Sequence, residues 1–407
     1  MGGRFSIGPS GPGGALAKSD EPILVAGFFR CHEADKRAGN AQLVRRMNAN
    51  TNVSKLLTRL VETKAEMIKL GMDLHARDVM VCAQLDGALA QRPQRMTCEQ
   101  LLQLVRGLVA AQRQVFSCYE AGPCGYGLHR ALLAAGVTNY VVVPEILGNG
   151  RRQKTDKLDA AALADRLDRY VRGNTRAFTV VTVPTVTEEQ ARAEARLRDQ
   201  LRDSRHAWEA RGRSLLLCHG HHIAGVWWAP RRWLALQHTL SCWLTRELEV
   251  IRTILLLLDA QELARRKKLE AAAPKKLPKA VGALTWVLLA REVCNWSRFH
   301  NRRQVSSYTG LCPGVSQSGR RKHDGPINRY GNPRVRALLI ELVWRLARWQ
   351  PGYKPVQTLV AGIARGAARR KCAVAAARKL AVDLWRLATG QTTPEHLNLI
   401  VPAEALT

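Results

Sequence analysis

The sequence predicts an α/β domain followed by a mostly α-helical one, with a long antiparallel helical arm between them. Three observations carry this. Between residues 66 and 160, short β-patterned runs alternate with helical ones, the signature of a mixed sheet covered by helices. From 187 to 270, two long helical patterns follow one another, and the second carries Leu244, Leu248, Ile251, Leu255 and Leu258 at 4-3-4-3 spacing, a heptad seam. From about Leu277 onward the pattern is helical again and strongly basic.

Residues 1–46 are expected to be a flexible extension. Gly2, Gly3, Gly8, Gly11, Gly13 and Gly14 with Pro9 and Pro12 open the chain, and helical spacing begins only after Met47, at Val53, Leu56, Leu57, Leu60 and Val61. Met47 therefore reads as a workable start. The α/β domain is assigned to 47–180. Met67 to Asp73 is a strand ending in an acid, and Asp78 to Leu85 is a second strand stopped by the turn pair Asp86-Gly87. Thr97 caps a helix with Gln100 as its capping-box partner, running to about Gln112. Gln114 to Tyr119 is a buried strand closing on Glu120, and a Gly/Pro elbow leads into a helix from about Gly127 to Ala135. Asn139 to Val143 is a strand stopped by Pro144, and a helix starts near Thr155.

The arm is assigned to 187–270. Its first helix places Leu197, Leu201, Trp208 and Leu215 on one side, and a loop with Trp227, Trp228 and Trp233 joins it to the second. A coiled coil is expected, with an ordinary bundle core as the alternative. A second domain over 277–390 carries a loop-like basic segment from Gly310 to Asn332, then helices near Arg334–Arg348 and Ala364–Leu387, with a tail at 391–407.

Composition narrows the function. Among 407 residues, Lys and Arg number 63 against 33 Asp and Glu, a formal net charge of +30 that asks for a polyanionic partner, nucleic acid above all. No run of about 18 apolar residues suggests a membrane span. The 10 cysteines are scattered without a C-x-x-C pair, so neither a zinc ribbon nor a disulfide scaffold is indicated, and a cytoplasmic, nucleoid-associated protein is expected.

In so basic a chain, acids at strand ends stand out. Asp73 closes the first strand, Glu120 closes the strand after the first helix, and Asp156 and Asp159 sit at i and i+3 on one helix face. Carboxylates gathered in one place repel unless a cation holds them. An all-oxygen set suits Mg²⁺ or Mn²⁺, which would act at a phosphodiester. Singly, each acid could be a strand-end cap or a solvated helix face.

The stretch from Gly71-Met72-Asp73 to Lys154-Thr155-Asp156-Lys157-Leu158-Asp159-Ala160 resembles the N-terminal domain of the DEDD transposases of bacterial insertion sequences, the insertion-sequence 110/1111 group. Glu120-Ala121-Gly122-Pro123-Cys124-Gly125-Tyr126-Gly127-Leu128 matches that family's E-A-G-P-x-G-x-x-L pattern. Gly310-Leu311-Cys312-Pro313, Ser318-Gly319 and Gly331-Asn332 match its second-domain pattern G-L-x-P…S-G…G-N. The resemblance implies a RuvC-like, ribonuclease-H-like first domain. It implies Mg²⁺-dependent cutting and rejoining of donor and target DNA, guided by a structured bridge RNA, and composite active sites in a homodimer or homotetramer. It places a serine nucleophile at Ser318, with Ser316 as the fallback. One departure stands out: Ala280, in Lys279-Ala280-Val281-Gly282-Ala283-Leu284-Thr285, replaces the first Gly of the family's hairpin motif.

Other residues are weighed against plainer roles. Arg320, Arg321, Lys322 and Arg329 flank Ser318 and would clamp a phosphate, as Lys154 would beside the acids; a basic run is otherwise a solvated face. Arg369, Arg370 and Lys371 lie on a basic helix expected to track a nucleic-acid backbone. Trp227, Trp228 and Trp233 could stack on RNA bases with Arg231 and Arg232 on phosphate, though packing in the arm is favoured. Cys218-His219-Gly220-His221-His222 resembles a metal cluster, but reads better as a helix stop. Two rival functions share these features: a Holliday-junction nuclease that uses the acids without a covalent intermediate, and a non-catalytic RNA-binding relative of a transposase.

Overall fold

The computed structural model describes residues 55–402 except 57, 61, 64, 145–154, 320, 363 and 364. The N-terminal extension, Met47, Lys154 and Arg320 lie outside the described residues. The chain divides into two compact units that part between Val183 and Pro184.

The first unit is built on a five-stranded mixed sheet in the order β3-β2-β1-β4-β5. β1 (Met67–Leu74) and β2 (Val79–Leu85) form an antiparallel hairpin, and the short β3 (Gln94–Met96) extends it. Helix α1 (Cys98–Ala110) then crosses to β4 (Gln114–Glu120), which lies parallel to β1, and α2 (Gly127–Ala134) crosses to the parallel β5 (Thr138–Val142). The expected capping box is present: the Thr97 side chain accepts from Gln100 N and the Gln100 side chain from Thr97 N. Strand alternation sorts the two faces. Ile68, Leu70 and Met72 of β1 with Val115 and Tyr119 of β4 join α1 and α2 in one core. The opposite face takes helix α3 (Asp156–Val171), whose Ala160, Ala164, Leu163 and Leu167 meet Met80, Cys82 and Cys118.

The second unit opens with two long helices, α4 (Val186–Cys218) and α6 (Cys242–Ala271), joined through α5 (Pro230–Leu236). They run antiparallel, since Glu194 meets Lys268, Arg198 meets Glu262 and Arg205 meets Asp259. Leu244, Leu248 and Leu255 are buried as the heptad spacing predicts. The partner side differs from expectation. Leu197 is 38% exposed while Arg198 is buried, because Arg198 pairs with Glu262 at 2.9 Å and Asp199 at 3.2 Å and so replaces an apolar seam with a neutralised one. Trp227, Trp228 and Trp233 are buried with Leu216, Leu244 and Leu248, and Trp227 packs against Gly212, where a Cβ would come within 2.1 Å of its ring. That settles the aromatic trio as core and removes it from base stacking.

Helices α7 (Ala283–Val293), α8 (Arg302–Thr309), α9 (Pro333–Trp349), α10 (Gln357–Val360) and α11 (Gly366–Ala388) surround the other core of this unit. The segment from Gly310 to Asn332, expected as a loop, instead contains a β-hairpin of β6 (Pro313–Ser318) and β7 (Arg321–Ile327). Its strands read P-G-V-S-Q-S and R-K-H-D-G-P-I, with too few branched apolar residues to show period-two patterning. Among the described residues no helix is long and apolar enough to cross a membrane.

Ala280 has φ +72°, a left-handed conformation suited to the glycine it replaces. The turn is held there by Lys279 N donating to Ile400 O and by Gln350 Nε2 donating to Lys279 O. Relief of about 1–2 kcal/mol of left-handed strain outweighs the 0.4–1 kcal/mol by which glycine loosens the unfolded chain, roughly. Ala280→Gly should therefore raise the thermal midpoint by about 1–3 °C, measured by differential scanning fluorimetry; a fall would show that the turn does not favour glycine.

Candidate active site

The acids are positioned by how α3 lies on β1. Thr155 starts the helix, its hydroxyl accepting from Leu158 N at 3.4 Å. Asp156 and Asp159 then fall in the first turn, where unpaired N–H groups and the helix dipole favour negative charge. The helix presses directly on the sheet at Gly71. A Cβ there would lie 2.2 Å from Ala164 N and 2.3 Å from Ala160 O, both backbone atoms. Below that contact, Lys69 Nζ donates to Asp168 Oδ1 at 2.7 Å, with side chains 3% and 9% exposed. Above it, Asp73 emerges on the same face of β1.

Register brings Glu120 to the same level. Met72 pairs with Tyr119, and both point into the α1–α2 core, so the next residues, Asp73 and Glu120, turn together to the α3 face at the carboxyl ends of adjacent parallel strands. Both are partly buried, as are Asp156 and Asp159. Asp73 and Asp156 are brought together through a residue that sequence reasoning missed. His75 Nε2 lies 3.4 Å from Asp73 Oδ2 and 3.2 Å from Asp156 Oδ2. Arg95, on β3, donates from Nη2 to Asp156 Oδ2 at 2.8 Å and reaches Asp78 Oδ2 at 3.4 Å. The signal for His75 was its place two residues beyond Asp73, on the same strand face. Arg95 carried none, because β3 has only three residues.

Asp73, His75 and Asp156 each offer one ligand atom within 4.8 Å of the others. Two carboxylates and an imidazole nitrogen at that spacing fit a divalent cation, and the carboxylates suit Mg²⁺ or Mn²⁺. Glu120 and Asp159 share the face but stand outside that close cluster. The 218–222 segment holds no such group among the described residues. It ends α4 as a stop, with Gly220 at φ +81° and the His219 ring 5.4 Å from Trp243.

The second motif also explains itself by close approach. A Cβ on Gly331 would lie 2.1 Å from Gly310 N, so the two glycines close the base of the hairpin backbone to backbone, with Gly310 at φ +65°. Asn332 caps α9 by accepting from Arg334 N and Val335 N, and its Nδ2 donates to Glu292 Oε2 at 2.9 Å. Glu292 is buried, which raises its pKa, but Arg196 and Asn332 outweigh that and hold it below the ordinary glutamate value. Ser318 is the last residue of β6, paired with Arg321, and Gly319 turns the chain at φ +58°. Ser316 lies two positions back, paired with His323, and Lys322 pairs with Gln317. Arg329 follows β7, exposed, with φ +61°. Arg232 is engaged with Ala224 O at 2.5 Å, and Arg231 is exposed. Arg369 stacks over Trp344 at 5.1 Å, and Arg370 and Lys371 are exposed.

Comparison with known proteins defines the class. Residues 278–356, which hold the hairpin, match the family model described as "Transposase IS116/IS110/IS902 family". The chain is 32% identical over 305 residues to "Putative transposase y4rJ" of Sinorhizobium fredii, covering 66% of this chain and 75% of that one. It is 26% identical over 298 residues to "Transposase for insertion sequence element IS1111A" of Coxiella burnetii, covering 68% and 79%. Such relatives are DNA-processing enzymes. The chain belongs to the IS116/IS110/IS902 family of transposases.

The contact at Gly71 gives a direct check. Gly71→Ala must push α3 off β1 against rigid backbone, at the upper end of the roughly 1–3 kcal/mol typical of overpacking or above it. Urea unfolding of the variant should show a loss of about 3 kcal/mol or more; a loss under about 1 kcal/mol would mean that the helix does not sit on Gly71.

Proposed function

We propose that this transposase is a Mg²⁺-dependent, RNA-guided DNA recombinase that moves its own insertion sequence. One observation chiefly supports an acid-based catalytic centre: Asp73 and Glu120 share a face and a level at the ends of adjacent parallel strands, and Asp156 and Asp159 open the helix packed on that face. The mixed sheet with β2 antiparallel to the central strand and an acid-bearing helix on one side supports the RuvC-like reading of the first domain. In it, Asp73, Asp156, Glu120 and Asp159 would hold the metal, which would stabilise charge on the phosphodiester. Arg95 offsets the charge of Asp156, and His75 lies between Asp73 and Asp156 with its ring nitrogen as a third ligand atom.

In this reading Ser318 is the nucleophile. Its hydroxyl loses a proton as Oγ bonds to phosphorus, and the departing sugar oxygen takes a proton, leaving a serine–DNA phosphodiester. It stands at the end of β6, next to the turn at Gly319. Arg321 and Lys322, with Arg320 and Arg329, supply cations for the phosphate. Guidance by a structured RNA, and assembly as a homodimer or homotetramer with composite sites, rest on the family resemblance, with which the +30 charge is compatible.

Two measurements test this. Asp156→Asn should lower Mg²⁺-dependent cleavage of element-end DNA by at least about a hundredfold while leaving the unfolding midpoint within about 2 °C; full cleavage would remove the acids from the chemistry. Wild type trapped on a suitable DNA should give a covalent adduct mapped to Ser318, absent in Ser318→Ala. An adduct that survives that change moves the nucleophile to Ser316. Strand exchange with no adduct at all leaves metal-activated water.

A further inference from the structure

Several arginines of the second unit have acid partners and serve the scaffold: Arg196 with Glu292, Arg205 with Glu262, Arg291 with Glu194, Arg334 with Asp199. Elsewhere unpaired cations gather in one cleft. Between α8 and α11 lies a cleft of about 520 Å³, into which Arg302, Arg303 and Ser306 of α8 and Arg378, Lys379 and Arg386 of α11 converge. Arg302, Arg303, Arg378 and Lys379 make no ion pair with any described residue, and Arg386 stands 3.9 Å from the cleft's one carboxylate, Asp383. Asp383 is itself engaged, accepting from the Tyr353 hydroxyl at 2.7 Å.

Five cations share the cleft with one carboxylate, so it carries a net positive charge that favours an anionic ligand. Arg378, Val382 and Arg386 recur every fourth residue, so they form one stripe along about 12 Å of α11. Val382, Pro355 and Cys312 add an apolar wall between the charges. A row of cations with an apolar strip beside it matches a sugar–phosphate strand: guanidinium forks for phosphate oxygens, Val382 and Pro355 for the sugar face. The volume is that of a small-ligand pocket, which accommodates the backbone of one strand and not the body of a duplex.

We propose that the α8–α11 cleft is a clamp for one nucleic-acid strand, gripping it at the foot of the Ser318 hairpin. The placement follows from the chain. Cys312 lines the cleft and Pro313 begins β6, so Ser318 is six residues of strand away, about 20 Å. The clamp would hold a strand several nucleotides from the bond that the serine attacks. It extends the proposed function, since it requires that the second unit handle nucleic acid, but it does not require that Ser318 be the nucleophile.

The test is binding of the full chain to a fluorescent single-stranded DNA and to RNA of the same sequence, from 50 to 400 mM salt, roughly the range in which counterion release dominates. Each lost phosphate contact should flatten the slope of log K against log [salt] by about 0.7. Arg302→Gln with Arg378→Gln should flatten it by about 1.4 and weaken binding at 100 mM salt roughly tenfold. Arg266→Gln, whose cation is paired with Glu270 on α6, should leave the slope unchanged. Flattening with DNA, RNA or both upholds the clamp and says which strand it holds. An unchanged slope with both overturns it. If the double variant unfolds, the exposed Lys379→Gln takes its place, with an expected change of about 0.7. Loss of the Ser318 adduct reading with the slope change intact would leave the clamp standing; an adduct with no slope change would do the reverse.

Discussion

The first unit depends on one contact without side chains: the backbone of α3 against Gly71. Any Cβ at that position would collide with three backbone atoms of Ala160 and Ala164, so the helix can lie this close only over glycine. The flanking interactions then fix where along β1 the helix stops. At one end Lys69 and Asp168 form a buried ion pair, which Arg172 supports by donating to Asp168 at 3.1 Å. Such a pair adds little net stability, because desolvation offsets the attraction, but breaking it leaves a buried charge and costs roughly 3–5 kcal/mol. Its effect is therefore on register: a slide of one helical turn would strand both charges. At the other end the same register sets Asp156 against Asp73.

The second unit uses the same device at the hairpin. Gly310 and Gly331 touch backbone to backbone, and the Asn332–Glu292–Arg196 network holds the strand ends to α7 and α4. Glu292 shows how large these effects are relative to one another. Burial alone would raise its pKa and favour the neutral acid, yet the arginine and the asparagine reverse the shift. Its folded pKa thus lies below the unfolded one, so its contribution is present above the ordinary glutamate pKa and is lost as pH falls through the depressed one. The base of the hairpin is consequently an ionised, fully bonded anchor at neutral pH, and the tip is left for DNA in the proposed reading.

Much of this was legible because it is local. Thr97 and Gln100, or Thr155 before Asp156, announce their helices with chemistry spanning four residues, and strands ending at Asp73 and Glu120 show in the apolar run before them. What was hidden is non-local. Arg198 reads as a surface charge until Glu262, 64 residues on, neutralises it. The hairpin lacks strand patterning because its closure at Gly310 and Gly331 supplies what alternating apolar residues supply elsewhere. His75 and Arg95 join the acids only once β1 and β3 are folded onto one sheet. The family motifs pointed to the acids and to the glycines at the base of the hairpin, because a motif records tertiary contacts that periodicity cannot; Arg198, His75 and Arg95 lie outside them.

The charge of +30 divides along the same line. Where an arginine meets a carboxylate, as in the seam of α4 and α6, it has become part of the scaffold and is unavailable to phosphate. Where five cations gather around the single carboxylate of Asp383, as along α8 and α11, the fold has kept a charge that helix propensity and packing did not require, since glutamine at those exposed or half-exposed positions would serve both equally well. Net charge alone draws the chain to any polyanion; the distribution of unpaired charge decides where a strand would lie. In the proposed reading that is the side of α11 facing α8, at the foot of the hairpin, while Arg369, over Trp344, and the exposed Arg370 and Lys371 form a second basic run on the same helix.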